Sequence, residues 1–419
     1  MAMNFASSEV FYSLSVNQLA EIISHDELDV KEETTVWEAV VRWVKHSRED
    51  RLHHLPSILP HIRFNLLTSD DTAAILDHPL VREDAGSSEV IRNRVKETST
   101  PRKRFGMDTM EMALLFNFRK DEILFMNPRE GKYVSRSYHF KEYCSVAAMA
   151  VSSDSNIYML ARDSGKLTMF KYKHIRNAHI WAHAGMSPVF TFLEQGKNSL
   201  DYNEHLVEVD RTLYYLGVKK RSDSTLVRMR KYNWYSDQWQ ECSQLEVDGL
   251  SKLSAAVTCC SHLYFFTKSK MHRYDPSQDL WHQKTPPRTD LPICTAVAMG
   301  TEIFCTDDLF TRTMVYDTES DRWQDLQGWL SPEFPSHLDM SNPQFFVLEN
   351  QLHLVLEAYE TTRERSSAQY MVYVYDRSAD AWTDMKATIP KNRYVSGGSM
   401  CHVARMYNPL SDAQYAFMY

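Results

Sequence analysis

The first part of the sequence, residues 1–100, has apolar residues at helical spacing. Along TVWEAVVRWVKHS, one helical face collects Val36, Val40, Trp43 and Val44. Prolines interrupt the segments LHHLPSILPHI and SDDTAAILDHP that follow, which predicts short helices rather than long ones. We therefore expect residues 1–100 to form a small all-α domain of helical hairpins.

Two helix starts are predicted from capping boxes. In a capping box, a Ser or Thr and a Glu or Gln three residues later exchange hydrogen bonds with each other's backbone. Ser15 and Gln18 have this spacing ahead of LAEII, and Thr35 and Glu38 have it in TVWEAVV. We therefore expect helices to begin just after Ser15 and just after Thr35.

From residue 108 to residue 419 the pattern changes to short apolar or alternating runs, which are typical of β-strands. The segments SAAVTCC, HLYFFTK, MHRYD and LWHQK form one group of four predicted strands separated by turn residues. One such sheet cannot bury both faces, whereas similar sheets stacked around an axis cover one another. The pattern therefore predicts an all-β propeller.

A Tyr and, seven residues later, a Trp recur through this region. The clear copies are Tyr232 with Trp239, Tyr274 with Trp281, Tyr316 with Trp323, and Tyr375 with Trp382. Weaker copies begin at Met126 and Tyr172, and successive copies start roughly 40–60 residues apart, about the length of a propeller blade. We therefore expect six blades. The Tyr and Trp rings should fill the space between blades, and the Asp after Tyr should form a turn.

The first repeat unit is one strand short. EMALLFNF, DEILFMNP and KYVSRS supply three strands, while SGGSMCHVARMYN, after the last Trp, has no unit of its own. We expect this C-terminal strand to complete the first blade, because that closes the ring and removes an exposed sheet edge. The predicted fold is α+β multidomain: a small all-α domain followed by a six-bladed propeller closed by a C-terminal strand.

The stretches YDPSQDLW, YDTESDRW and YDRSADAW resemble the second half of the Kelch repeat. Kelch repeats also carry a Gly-Gly pair after an apolar strand, and only Gly217, in YYLGV, remains of it here. The resemblance covers about residues 108–419 and implies a Kelch propeller with divergent blades. The stretch FYSLSVNQLAEIISHDELDVKEETTVWEAVVRWVKHSRED and the helices after it resemble the BACK domain.

Together these parts resemble the BTB–BACK–Kelch proteins, and among them the kelch-repeat and BTB-domain-containing subgroup. The resemblance implies a substrate adaptor of a cullin-3 ubiquitin ligase. In such adaptors the BTB domain dimerises and binds cullin-3, and the propeller captures the target protein. Because no BTB-like segment is present, we expect a C-terminal part of a longer homodimeric protein, itself monomeric and binding cullin-3 weakly at most.

Composition narrows the range of partners and compartments. A net charge of −8 gives no general attraction to nucleic acid, and no apolar run approaches the roughly 18 residues that a membrane-spanning helix needs. Seven cysteines, mostly in apolar runs, favour a reducing compartment, so we expect a cytoplasmic protein with the nucleus also open. In the predicted linker 101–107, Arg102, Lys103 and Arg104 are expected to be solvated, with a nuclear-import signal as the alternative.

No catalytic residue, cofactor or metal site is predicted. The chain has no GxSxG, GxxxxGK[ST], GxGxxG or HExxH motif, and His53, His54 and His61 lack a suitably spaced Cys or carboxylate partner. Two alternatives to the adaptor stay open. One is an actin or cytoskeletal scaffold, and the other is a metal-dependent propeller enzyme, for which Tyr and His side chains could serve.

Strand alternation predicts which loops form a binding surface. The loops from second to third strands and the connections between blades emerge at the same end of the propeller, which we call the predicted rim. Its candidate substrate-binding residues are Arg162, Lys219, Arg221, Lys268, Arg288, Phe310, Arg312, Tyr359, Arg363, Arg365, Arg393 and Tyr394. These residue types suit an acidic or phosphorylated partner motif. At the opposite end, we expect charge changes at Asp279 and Asp321 to have little effect on substrate capture.

Overall fold

The computed structural model of the chain falls into two compact units, residues 1–110 with 407–419, and residues 111–406. The residues described are 9–97, 102–117, 122–137, 145–163, 166–175, 178–190, 202–221, 223–248, 254–267, 270–287, 293–307, 310, 312–326, 338–360, 369–387, 389 and 401–407. Within them, none of the helices combines the length and the apolar character needed to span a bilayer.

The first unit is helical. Its helices are α1 (Glu9–Tyr12), α2 (Val16–Ser24), α3 (Glu33–His46), α4 (Arg48–Arg51), α5 (Leu55–Ile58), α6 (Ser69–Leu76), α7 (Pro79–Glu83), α8 (Ala85–Lys96) and α9 (Phe105–Asp108). Short 3₁₀ turns span Leu52–His54, Leu59–His61 and Phe64–Leu66. Pro56, Pro60 and Pro79 each lie in the first turn of a short helix or 3₁₀ turn. Because that position needs no backbone donor, these prolines begin the elements rather than break them.

The face of α3 predicted from its spacing is its buried face. Val36, Val40 and Val44 are fully buried. Trp43 is 2% exposed, and the guanidinium of Arg51 lies 4.3 Å from its ring centre. The prediction of an amphipathic helix at this place is therefore confirmed.

One of the two predicted capping boxes is present. The Gln18 backbone donates to Ser15 Oγ at 3.3 Å, and the Ser15 backbone donates to Gln18 Oε1 at 2.9 Å. The prediction at Thr35 is wrong, because α3 begins two residues earlier, at Glu33, and has no side-chain cap. Glu33 is 2% exposed, so α3 begins with a buried residue and not with an exposed polar cap.

Residues 102–107 belong to the helical unit, and of the three cations expected to be solvated, Arg102 and Lys103 are exposed whereas Arg104 is not. Arg104 is fully buried, with Nε 2.7 Å from Glu33 Oε2 and Nη2 2.6 Å from Glu33 Oε1. Gly106 lies so close to Val30 that a β-carbon there would meet the Val30 carbonyl oxygen at 2.4 Å. The prediction is wrong for Arg104, because one member of a charge run can be buried where it finds a full set of partners.

The second unit consists of strands. In chain order they are β1 (Thr109–Asn117), β2 (Glu122–Asn127), β3 (Lys132–Ser137), β4 (Ser145–Val151), β5 (Ile157–Asp163), β6 (Lys166–Ile175), β7 (Ala178–His183), β8 (Val189–Phe190), β9 (Tyr202–Val209), β10 (Thr212–Lys220), β11 (Ser224–Asn233), β12 (Gln238–Glu241), β13 (Leu245–Asp248), β14 (Ala255–Cys259), β15 (His262–Phe266), β16 (Met271–Asp275), β17 (Leu280–Lys284), β18 (Ile293–Met299), β19 (Glu302–Asp307), β20 (Thr313–Asp317), β21 (Arg322–Leu326), β22 (Leu338–Leu348), β23 (Gln351–Glu360), β24 (Gln369–Asp376), β25 (Ala381–Asp384) and β26 (His402–Tyr407).

These strands form six sheets, which confirms the predicted six blades. Blade 1 has the order β26-β1-β2-β3, blade 2 contains β4–β8, blade 3 contains β9–β13, and blades 4, 5 and 6 contain β14–β17, β18–β21 and β22–β25. In blades 2 and 3 the fourth strand is interrupted, so that β7 and β8 both pair with β6, and β12 and β13 both pair with β11. The first strands of successive blades, such as β4 and β9, lie side by side.

The C-terminal strand closes the ring as predicted. β26 pairs with β1 as the first strand of blade 1, and the Cys401 thiol just before it lies 3.4 Å from the Leu114 carbonyl oxygen in β1. Buried apolar clusters join blades 2 and 3, 3 and 4, 4 and 5, 5 and 6, and 6 and 1. The core of the propeller therefore lies between its blades.

Candidate functional site

The repeated Tyr and Trp are cross-strand neighbours on the third and fourth strands of a blade. Tyr274 pairs with Trp281 and Tyr316 pairs with Trp323, with ring centroids 5.1 Å apart in both cases. The Tyr rings are fully buried in the clusters between blades, and the Trp rings pack against the same clusters. The spacing of seven is therefore the length of the hairpin that brings the two rings together.

An Asp five residues after the Tyr completes the repeated structure. The hydroxyl of Tyr274 donates to Asp279 Oδ1 at 2.6 Å, and that of Tyr316 donates to Asp321 Oδ1 at 2.6 Å. The same bond joins Tyr232 to Asp237 and Tyr375 to Asp380. Asp279 and Asp321 have φ of 51° and 55°, a region that Asp tolerates better than most residues. This role was not predicted, although all four clear copies read Tyr-x4-Asp-x-Trp.

The Asp and the Trp of one blade together hold one residue of the preceding blade. Ser243 donates its backbone N–H to Asp279 Oδ1 at 2.9 Å, and its carbonyl accepts from Trp281 Nε1 at 2.9 Å. Thr285 makes both bonds with Asp321 and Trp323, and Ser187 makes them with Asp237 and Trp239. We call this arrangement the interblade clamp.

The clamp carboxylates are ionised and structural. Burial alone would raise the pKa of Asp279, but hydrogen bonds from Tyr274 and Ser243 outweigh it and hold that pKa below its usual range. The pKa of Asp321 is lowered by a similar balance, with Lys284 Nζ 3.0 Å from its Oδ2. Both side chains hold a neighbouring blade, and the expectation that charge changes at Asp279 and Asp321 leave substrate capture unaffected stays a prediction.

Half of the candidate residues of the predicted rim lie outside the described residues. They are Lys268, Arg288, Arg363, Arg365, Arg393 and Tyr394. Tyr359 lies in β23, where only its backbone is described. The structure therefore locates five of the twelve side chains, and their surroundings differ.

Arg162, at the end of β5, contacts a carboxylate of the next blade. Its guanidinium forms an ion pair with Glu204, whose side chain is only 5% exposed. The Tyr215 hydroxyl also donates to Glu204, at 2.5 Å. Arg162 thus links blades 2 and 3 and is already engaged within the chain.

The cations in the next two loops are paired as well. Arg221 lies 3.0 Å from Glu246, and Lys270, beside the predicted Lys268, lies 3.1 Å from Asp248. Lys219 is half-buried near the end of β10. Much of the positive charge described in blades 3 and 4 is therefore balanced by carboxylates of β13.

Phe310 is not a surface residue. It is 2% exposed, with ring centroids 6.2 Å from Phe345 and 5.9 Å from Trp382. Its assignment to the binding surface is wrong, because the loop turns this ring into the cluster between blades 5 and 6. Arg312, two residues on, is exposed, and its backbone donates to Asp307 Oδ2 at 3.2 Å.

A cavity of about 540 Å³ opens at the other end of the strands, by the turns after β4 and β9. Ser153, Glu208, Asp210, Arg211 and His402 are among its lining residues. Burial raises the pKa of Glu208 against the opposing effect of hydrogen bonds from Ser153, and burial lowers the pKa of His402 to about 4. In the part of the chain that the structure describes, no group of His, Cys, Asp or Glu is placed to hold a metal ion.

The helical region has a known counterpart among protein-family models. Residues 1–76 match the family model described as BACK, "BTB And C-terminal Kelch". This chain joins a helical region that matches the BACK model to a six-bladed propeller. A segment of 77 residues is 40% identical to Kelch-like protein 3 of Danio rerio, covering 18% of this chain and 13% of that protein.

Over most of its length the chain is similar, at modest identity, to Kelch repeat and BTB domain-containing proteins. It is 24% identical to member 2 of Homo sapiens, over 90% of this chain and 64% of that protein. It is 22% identical to member 12 of Homo sapiens, over 71% of this chain and 53% of that protein. The chain spans about half to two thirds of the length of these relatives.

Proposed function

We propose that this chain is the substrate-recognition part of an adaptor for a cullin-3 RING ubiquitin ligase. The observation that carries the proposal is the order of its parts, a BACK domain followed directly by a Kelch propeller. That order accompanies similarity over most of the chain to proteins whose names pair Kelch repeats with a BTB domain. The chain would perform no catalysis itself. It would act in the cytoplasm, with the nucleus as the alternative compartment.

The propeller supplies a rigid frame for recognition. Among the described residues, interblade clamps join blades 2 to 3, 3 to 4 and 4 to 5, and apolar clusters pack each of these blades against its neighbour. A preorganised surface of this kind loses little conformational entropy when it binds a protein. The ligand proposed for the predicted rim is an acidic or phosphorylated motif, and within the described part of that rim Arg162, Arg221 and Lys270 are paired with carboxylates of the chain itself.

The proposal predicts that this chain, expressed alone in cells, protects the target protein from degradation. It would occupy the target without bringing cullin-3, because cullin-3 binding is assigned to a BTB domain. We expect affinity capture under proteasome blockade to recover a partner whose half-life rises with the amount of chain expressed. The purified chain should bind purified cullin-3 weakly or not at all by calorimetry.

A matched pair of variants separates recognition from folding. Arg312→Glu with Arg393→Glu should abolish capture of that partner, whereas Arg102→Glu, at an exposed position in the helical unit, should leave it intact. Submicromolar cullin-3 binding by this chain, or capture that survives the double charge reversal, would contradict the proposal as stated.

A further inference from the structure

The turn between β11 and β12 exposes two large aromatic side chains. Trp234 is 50% exposed and Tyr235 is 103% exposed, at the end of the propeller opposite to the predicted rim. Leu280, in the corresponding turn of blade 4, is 48% exposed. Aromatic rings left in water at a turn are the residue types that most often carry binding energy at protein interfaces.

The fold does not need aromatic residues at these two positions. The corresponding pairs in blades 4, 5 and 6 are Pro276-Ser277, Thr318-Glu319 and Arg377-Ser378. The turns share the same support: Asn233 Oδ1 accepts from the Tyr235 backbone at 2.9 Å, as Asp275 Oδ1 accepts from the Ser277 backbone at 2.9 Å. Because the sister turns form with small or polar residues, turn formation does not explain Trp234 and Tyr235.

The Trp234 ring is held in place before any partner binds. Its Nε1 donates to the Arg211 carbonyl at 3.1 Å, and its ring meets Tyr232 edge-on with centroids 4.8 Å apart. A ring fixed in this way loses little rotamer freedom on binding. The turn therefore presents one fixed ring, that of Trp234, beside the exposed ring of Tyr235.

Trp234 also connects this turn to the cavity, because Arg211 is one of the cavity's lining residues. Among the residues that line the cavity, the two carboxylates of Glu208 and Asp210 outnumber the one guanidinium, that of Arg211. Asp210 accepts from the Ser261 hydroxyl at 2.8 Å and is exposed. The cavity mouth therefore favours a cationic group.

We propose that Trp234, Tyr235 and the adjoining cavity form a second protein-binding surface, which takes a short basic segment of a partner. A proline or aliphatic residue of the segment packs against the two rings, and a neighbouring Lys or Arg side chain reaches Glu208 and Asp210. The surface is separate from the predicted rim, so it could be occupied while the rim holds a substrate.

A library of random 12-residue peptides displayed on phage, selected on the whole chain, tests this proposal. The decisive variant is Trp234→Thr with Tyr235→Ser, which gives the turn residues of the sister blades. We expect selected peptides to combine Lys or Arg with Pro or an aliphatic residue, and to bind the variant roughly tenfold or more weakly in fluorescence polarisation, since central aromatic anchors dominate such interfaces. Asp210→Asn, which keeps both rings, should also weaken binding and reduce its dependence on salt.

Glu319→Ser, at the position in blade 5 that corresponds to Tyr235, is the matched control and should bind like the unchanged chain. Equal binding to the unchanged chain and the double variant, or selection of acidic peptides, would overturn the proposal. The proposal would also be overturned if the unchanged chain sedimented with vesicles of phosphatidylcholine and phosphatidylserine while the double variant did not. That outcome would assign the rings to a membrane.

Discussion

At the scale of single residues, Arg104 shows that one member of a run of charged residues can be fully buried. Besides Glu33, its guanidinium donates to the carbonyls of Ile23 at 2.7 Å, His25 at 3.1 Å and His61 at 3.2 Å. A buried guanidinium is tolerated only when its donors are satisfied in this way. The segment after α8 is thereby fixed to α2, α3 and the 3₁₀ turn at His61.

We predict that Arg104→Met lowers the free energy of unfolding of the helical unit by about 3–5 kcal/mol, because it leaves the Glu33 carboxylate buried without its partner. Adding Glu33→Met should restore part of that loss, since both charges are then removed. Denaturant unfolding followed by circular dichroism measures both effects.

Arg102→Met is the matched control. The Arg102 side chain is 77% exposed and 3.7 Å from Asp26, so its loss should cost less than about 1 kcal/mol. Equal losses for Arg102→Met and Arg104→Met would show that the buried ion pair contributes nothing specific.

The sequence could predict this region only in part. Apolar spacing identified the buried face of α3, because periodicity reports which side of a helix faces the core. Apolar spacing could not show that Arg104 is buried while Arg102 and Lys103 are not. The three are neighbours in sequence, and the partner Glu33 is 71 residues away. Phe310 was misplaced for a related reason, because its polar neighbours indicated an exposed loop.

At the scale of elements, the interblade clamp turns one repeated hairpin into a joint between two blades. The Tyr and Trp were predictable because their spacing is fixed. The Asp that joins them was overlooked because the Asp next to the Tyr already explained the turn. Pairings such as Arg221 with Glu246 could not be predicted, since strand alternation fixes which loops are neighbours but not which side chains meet.

We predict that Asp279→Ala destabilises the propeller by about 2–4 kcal/mol, whereas Asp279→Asn costs less than about 1 kcal/mol. Alanine removes the acceptor used by Tyr274 and Ser243 and tolerates a φ of 51° poorly. Asparagine keeps an acceptor oxygen and suits that backbone conformation. Thermal and urea unfolding of the two variants should separate them clearly, and two equally mild variants would remove the clamp argument.

The stability that Asp279 contributes to the propeller also depends on pH. The pKa of Asp279 in the folded chain lies below its ordinary value of 3.8, so its carboxylate contributes stability above that pH. The contribution is lost as the pH falls through the folded pKa. Unfolding free energies of Asp279→Asn should therefore fall less steeply than those of the unchanged chain below about pH 4.

At the scale of the whole molecule, the number of blades and the closing strand followed from counting strands. Six repeat units, one of which lacks a strand, leave a single arrangement without an open edge. The paths of the rim loops, in contrast, could not be predicted from the sequence. They carry few repeat positions, so no internal comparison constrains their paths.

We predict that a chain ending at Gly398 loses β26, exposes the edge of β1, and forms aggregates or melts at a clearly lower temperature. A chain ending at Leu410 keeps β26 and should behave like the unchanged chain. Light scattering after size-exclusion chromatography and a melting curve compare the two. A monomeric, equally stable chain ending at Gly398 would contradict closure by this strand.

The closing strand also sets an order of events during synthesis. Cys401 and Leu114, which meet in blade 1, are 287 residues apart, so β1 leaves the ribosome long before its neighbour β26 exists. Chains fold from the N-terminus as they are made, and contacts of such separation form late. The nascent propeller must therefore wait as an open arc with β1 uncovered, and a chaperone that shields this edge would act only until the last strand emerges.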